Sequence, residues 1–113
     1  MKRTPEGYVL NACKDYLELK GWNVTRMNSG AVQDKRGVPV RMHAPGTADL
    51  LAIKEAPFAV QGGPIVHLVC WVECKAGNGK QSEMQKMFQA RKEALGQRYV
   101  LAYGIEDMER AGL

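Results

Sequence analysis

Glu73 and Lys75 stand two apart in "ECKAGNGKQSEMQ", just ahead of a glycine-rich stretch and a helical one. On a strand, residues i and i+2 project from one face, so this carboxylate and ammonium sit side by side while the Cys74 side chain points away. Such a pair is either a salt bridge or half of a metal-dependent hydrolytic site. Spacing alone does not decide: 8 Glu and 9 Lys in 113 residues make the pair ordinary, and Glu18-Leu19-Lys20 is a second copy. That copy falls on a helical pattern, where i and i+2 do not face each other, and reads as solvated surface.

Asp49 raises the first copy above the second. It opens the apolar run "ADLLAI" directly after Pro45-Gly46-Thr47, where a turn feeds a strand. If the two strands are neighbours, Asp49 and Glu73 converge at one edge, and two close carboxylates repel unless a proton or a cation compensates. Hard oxygen ligands suit Mg²⁺ or Mn²⁺. An ion held there activates water and neutralises charge developing on a phosphate, with the Lys75 ammonium as an electrostatic partner.

The elements that must position these groups follow from periodicity. "TPEGYVLNACKDYLELKGW" has Thr4 as N-cap, Pro5 at the first helical position, Val9, Cys13, Tyr16 and Leu17 at helical spacing, and Gly21 as the stop. "WNVTRMN" alternates and reads as a strand, and "AVQDKRGVPVRM" reads as a basic hairpin or a mobile loop around Asp34 to Gly37. "TADLLAI" and "IVHLVCWVECK" are apolar strands. The second has Val66, Leu68, Cys70 and Val72 on one face and Val69 and Trp71 on the other, a strand covered on both sides. "QSEMQKMFQARKEALG" predicts an amphipathic helix with Met84, Met87, Phe88, Arg91 and Leu95 along its buried stripe. "RYVLAY" closes the set as a strand, with Tyr99 and Tyr103 read as packing rather than base-stacking residues. The order helix, three strands, helix, strand (αβββαβ) predicts an α/β fold with a central mixed sheet flanked by helices.

The remaining bounds are broad. A chain of 113 residues fits one domain, 1–113. Sixteen Lys and Arg against twelve Asp and Glu, a net charge of +4, favour a polyanionic partner. No apolar run reaches the roughly 20 residues that span a bilayer, and "MKRTPEGY" has no apolar segment after its basic pair, so the expectation is no membrane contact and a cytoplasmic location. Cys13, Cys70 and Cys74, an odd number in apolar surroundings, suit reduced core thiols. His67 faces away from Cys70 and Cys74 on the same strand, which argues against zinc.

Taken together, Pro45 to Asp49 and Glu73-Cys74-Lys75 resemble the PD-(D/E)xK nuclease superfamily. Within it the chain is similar to the small stand-alone VRR-NUC proteins, often phage-borne. Their pattern maps here onto Glu6, Asn28-Ser29-Gly30, the basic stretch Lys35 to Arg41, Gly46 to Leu50, Glu73 to Lys75, Gly79, and Ser82 to Gln85. Thr47-Ala48 stand where the family usually has Val-Pro, so the literal "PD" is absent while the acidic position is kept. The resemblance covers residues 6 to about 103. It implies a restriction-endonuclease-like core in which Asp49, Glu73 and the Cys74 carbonyl hold the metal, Lys75 is the catalytic lysine, and Glu6 and Gln85 complete the site.

Plainer roles stand beside these. Glu6 also suits a first-turn acid complementing the helix dipole, and Gln85 with Ser82 also fits a capping box. A nuclease reading assigns the nucleic-acid backbone to Arg26, Asn28, Lys35, Arg36, Arg41, His43 and Lys80. It further implies Mg²⁺ or Mn²⁺ as cofactor, branched DNA such as a four-way (Holliday) junction as substrate rather than a small molecule, and a homodimer. The segment "KEAPFAVQGGPIV" is a candidate dimer or substrate loop. A sequence-specific restriction-type nuclease and a non-catalytic nucleic-acid-binding module are the alternatives.

Overall fold

The computed structural model describes residues 4–27, 31–33, 35–41, 45–56 and 61–113, with the backbone alone for 31–33 and 39–41. Asn28, His43 and residues 57–60 of the expected substrate loop lie outside the described residues, as does the Arg41 side chain.

The first helix, α1 (Pro5–Leu19), starts where Thr4 Oγ1 accepts a hydrogen bond from the Gly7 N–H at 3.0 Å, with Pro5 pre-set for the first turn. It ends because Gly21 takes φ 91°, a conformation that other residues adopt at a penalty, and lets the Trp22 N–H reach back to the Leu17 carbonyl at 3.0 Å. Strand β1 (Asn23–Arg26) follows, then the short hairpin β2 (Ala31–Gln33) and β3 (Pro39–Arg41), whose strands pair only with each other. The basic stretch is therefore a hairpin, with Lys35 and Arg36 exposed at its turn.

Strands β4 (Leu50–Glu55) and β5 (His67–Cys74), helix α2 (Glu83–Ala94), strand β6 (Arg98–Ala102) and helix α3 (Ile105–Arg110) complete the chain. The sheet has the order β1-β4-β5-β6, antiparallel except for the parallel β5–β6 pair, so the architecture is α/β with a four-stranded mixed sheet. α3 is an addition to the expected αβββαβ order, too short for its periodicity to stand out in the sequence.

The two faces of the sheet are packed differently. One carries Leu50, Ala52, Cys70, Val72, Cys74 and Ala102 against Leu10, Cys13 and Leu17 of α1 and Met108 of α3, a continuous apolar core. The other holds a smaller cluster of Ala48, Trp71 and Tyr99, against which Phe88 of α2 sets its ring edge-on to Trp71 at 5.0 Å.

Two expectations are corrected here. The α2 stripe is right only at Phe88: Met84, Met87 and Leu95 are 44%, 53% and 69% exposed, and Arg91 is exposed too. The helix instead turns Gln85, Phe88, Gln89 and Lys92 inward, because its contacts are a polar site at one end and two aromatic rings at the other. Strand β5 also starts at His67, leaving Val66 outside it and exposed, although the Val66 carbonyl still accepts from the Ala56 N–H at 2.8 Å. Among the described residues no helix is long and apolar enough to cross a membrane.

Candidate metal centre

All three helices begin at the same end of the sheet, the end where β5 and β6 finish and β4 begins. Helix N-termini carry partial positive charge, so this end is electrostatically suited to anions. Three carboxylates gather there. Ligand oxygens of Glu6, from the first turn of α1, of Asp49, one residue before β4, and of Glu73, near the end of β5, all lie within 4.8 Å of one another. The convergence of Asp49 and Glu73 requires neighbouring strands, and β4 and β5 do pair, with Leu50 opposite Val72.

Each acid is fixed by a separate device. The Asp49 carboxylate accepts the Cys74 N–H at 2.8 Å, which ties the end of β5 to the turn before β4 and leaves the other Asp49 oxygen for a ligand. A strand residue directs its N–H and C=O to the same side, so the Cys74 carbonyl shares the Asp49 side of β5. The Cys74 thiol lies in the opposite core, fully buried.

Glu73 is 2% exposed, and its Oε1 accepts from Gln85 Nε2 at 2.8 Å. Gln85 does two jobs with one amide: Oε1 receives the Ser82 N–H at 2.8 Å, closing a capping box, while Nε2 holds Glu73. The capping and site roles, set against each other in the sequence, are thus one arrangement.

The pair Glu73–Lys75 is no tight salt bridge. Lys75 Nζ lies 4.0 Å from Glu73 Oε1, beyond hydrogen-bonding distance. Glu73 Oε2 is buried with no donor facing it, and the neighbouring Asp49 carboxylate can bond to Glu73 only if the pair holds a proton. An orphaned carboxylate oxygen in a dry site carries a desolvation penalty of roughly 1–3 kcal/mol or more, which a cation or a proton relieves. In the protein alone the proton wins: burial first, and then the Asp49 charge, push the Glu73 carboxyl up to about 8. Asp49 is raised in the same sense, chiefly by burial, against the lowering hydrogen bond from Cys74. Cations and protons compete for such a pair, and a hard divalent ion fits the all-oxygen donor set.

The turn carrying Asp49 is held by a contact that the sequence did not announce. Gly46 has φ 87°, and a Cβ there would sit 2.5 Å from the Met84 carbonyl oxygen in the first turn of α2. Only glycine lets the Pro45–Gly46 turn lie flat on α2, and that seat keeps the Asp49 turn close to the helix that bears Gln85. The Pro45-Gly46 dipeptide, a turn signal, was what the sequence offered.

Of the seven basic or polar residues assigned to nucleic acid, Arg26 and Lys80 are exposed near this end. Arg26 lies opposite Leu50, and Lys80 follows the loop after Lys75. Lys35 and Arg36 sit on the separate hairpin.

No family model matches the chain, and neither a curated protein nor a solved structure does.

Proposed function

We propose that the protein is a divalent-metal-dependent endodeoxyribonuclease with a restriction-endonuclease-like core. The observation that carries this is the convergence of Glu6, Asp49 and Glu73 around a buried, unpartnered Glu73 oxygen, with an ammonium that no carboxylate engages closely at its edge. Asp49, Glu73, Glu6 and the Cys74 carbonyl would hold Mg²⁺ or Mn²⁺. A bound ion supplies Lewis-acid chemistry: a more acidic water and neutralisation of charge developing on a phosphate.

The chain's own residues do the rest. The Cys74 N–H orients Asp49, and Gln85 orients Glu73 by holding its Oε1. Lys75, with no close hydrogen bond to Glu73, is placed to stabilise the charge that accumulates on the phosphoryl oxygens in the transition state. Exposed Arg26 and Lys80 take neighbouring phosphates, giving affinity that falls with salt. The sequence pattern shared with the stand-alone VRR-NUC proteins supports branched DNA as substrate and a two-fold dimer that presents two sites to a four-way junction.

The test compares a synthetic four-way junction, a flap and linear duplexes in Mg²⁺, Mn²⁺ and chelator. Metal-dependent cutting of the junction in preference to duplex is expected. Preference for one duplex sequence points to the restriction-type alternative. Absence of any cutting in either metal, with DNA binding unaltered by Asp49→Asn, points to a non-catalytic binding module.

A further inference from the structure

Beside the carboxylates, a shallow recess of about 480 Å³ is lined by Gly77, Asn78, Gly79, Lys80 and Tyr103. None of these residues is acidic, and Lys80 is exposed on its rim. The β5–β6 register pairs Cys74 with Ala102, and the Lys75 N–H continues that ladder to the Ala102 carbonyl at 2.9 Å. One step further, Tyr103 falls beside Lys75. In β6, Tyr99 packs with the Trp71 cluster while Val100 and Ala102 face the opposite core, so position 103 belongs to the face that bears Glu73.

Tyr103 is therefore no core residue, and reading it as packing is corrected: it is 43% exposed, whereas Tyr99 is 9%. It is nonetheless held firmly. Its hydroxyl donates to the Gly79 carbonyl at 2.7 Å, and its backbone N–H donates to Asp107 Oδ2 at 2.7 Å. That acid is further engaged by Arg110 at 2.9 Å, which leaves it answered by groups away from the recess. The glycine loop in turn lies over the lysine: a Cβ at Gly79 would meet the Lys75 side chain at 3.5 Å and the Ala76 carbonyl at 3.1 Å. A pinned aromatic ring, open on one side, thus flanks the lysine and a cationic rim.

We infer that this recess is a subsite for an unpaired nucleotide next to the scissile phosphate, with the base stacked on Tyr103 and the adjoining phosphate beside Lys80. The inference rests on the nuclease reading and deepens it by naming what is recognised. An aromatic face is sequence-tolerant toward bases but needs one that is not already stacked in a duplex. A site next to such a ring selects DNA with a frayed, flapped or single-stranded nucleotide at the cut. Pinning the ring before binding lowers the ordering penalty of stacking.

The test measures binding of the full chain in chelator, by fluorescence anisotropy, to a labelled single strand, a flap and a fully paired duplex. Tyr103→Ala is expected to weaken binding to the single strand and the flap by about fivefold or more, the lower end of what loss of one base–aromatic stack produces, and to leave the duplex nearly unchanged. Tyr103→Phe, which keeps the ring and removes the bond to Gly79, is expected to lose clearly less than Tyr103→Ala, because the stacking face remains. Equal loss on all three nucleic acids, a Phe variant as weak as the Ala variant, or no binding to any of them overturns the inference. Because binding is read without metal, it is separate from whether the protein cuts.

Discussion

Among the described residues, the two ends of the sheet carry opposite electrostatics and leave different groups unpartnered: the neutral Trp22 indole N–H at one, a Glu73 carboxylate oxygen at the other. At the far end, where all three helices finish, a cleft of about 500 Å³ is lined by Trp22, Lys54, His67, Arg98 and the turns at Gly96 and Gly112. Its cations are answered. Arg98 donates to the Ala111 carbonyl at the end of α3, and Lys54 lies over the Trp22 ring at 4.5 Å, as expected where helix C-termini gather partial negative charge. At the near end the helix N-termini meet three carboxylates that, among the described residues, no lysine or arginine neutralises closely, and a buried Glu73 oxygen has no donor facing it. The two recesses are nearly equal in volume, about 500 and 480 Å³, so it is the clustered carboxylates and not volume that mark the near end as the place for chemistry.

That contrast breaks most visibly in catalysis. Lys75→Ala is expected to lower single-turnover cleavage by at least about a hundredfold, the scale of losing one electrostatic donor to the transition state. Lys54→Gln, at the other end, should stay within about twofold of wild type on the same substrate. Equal effects would mean that the two ends are not functionally distinct.

Stability against pH sharpens the comparison without any substrate. In chelator, folded Glu73 keeps its proton up to about pH 8, whereas an unfolded glutamate gives it up near 4.5. Between those values the folded state binds more protons than the unfolded one, so stability falls as pH rises and the loss is complete above about pH 8. Thermal unfolding should drop by at least about 4 °C across that window, the shift that ~1 kcal/mol produces in a domain of this size. Glu73→Gln should flatten the slope, and so should saturating Mn²⁺, which takes the place of the proton. A wild-type protein equally stable across the window would show that the acidic end carries no strain.

The smallest effect tests the outer face of α2. Met87→Gln is expected to change the free energy of unfolding by less than about 0.5 kcal/mol in urea titrations, as for an exposed position, whereas a residue of a buried stripe would lose several times that.

Much of this arrangement was legible in the residue pattern, for local reasons. Thr4 and Pro5 start a helix and Gly21 ends it by rules that involve only neighbouring backbone groups. The alternation in β5 separates Glu73 from Cys74, and the two side chains do occupy opposite faces. The α2 stripe failed because periodicity reports which residues are apolar and not what they will face. Met84, Met87 and Leu95 have the right spacing but no partner layer, and the sheet meets glutamines and one phenylalanine instead.

The sequence by itself determined the helix ends, the strand faces and the presence of Glu6, Asp49, Glu73 and Lys75, since these follow from backbone rules and residue type within a few positions. Tertiary structure alone decided that three acids from α1, the turn before β4 and the end of β5 meet within 4.8 Å, and that Gly46 seats against α2. It also decided that one glutamine serves both a cap and a carboxylate, and that Tyr103 stands open beside Lys75. Those facts depend on how elements far apart in the chain pack together, a long-range outcome that no local pattern encodes.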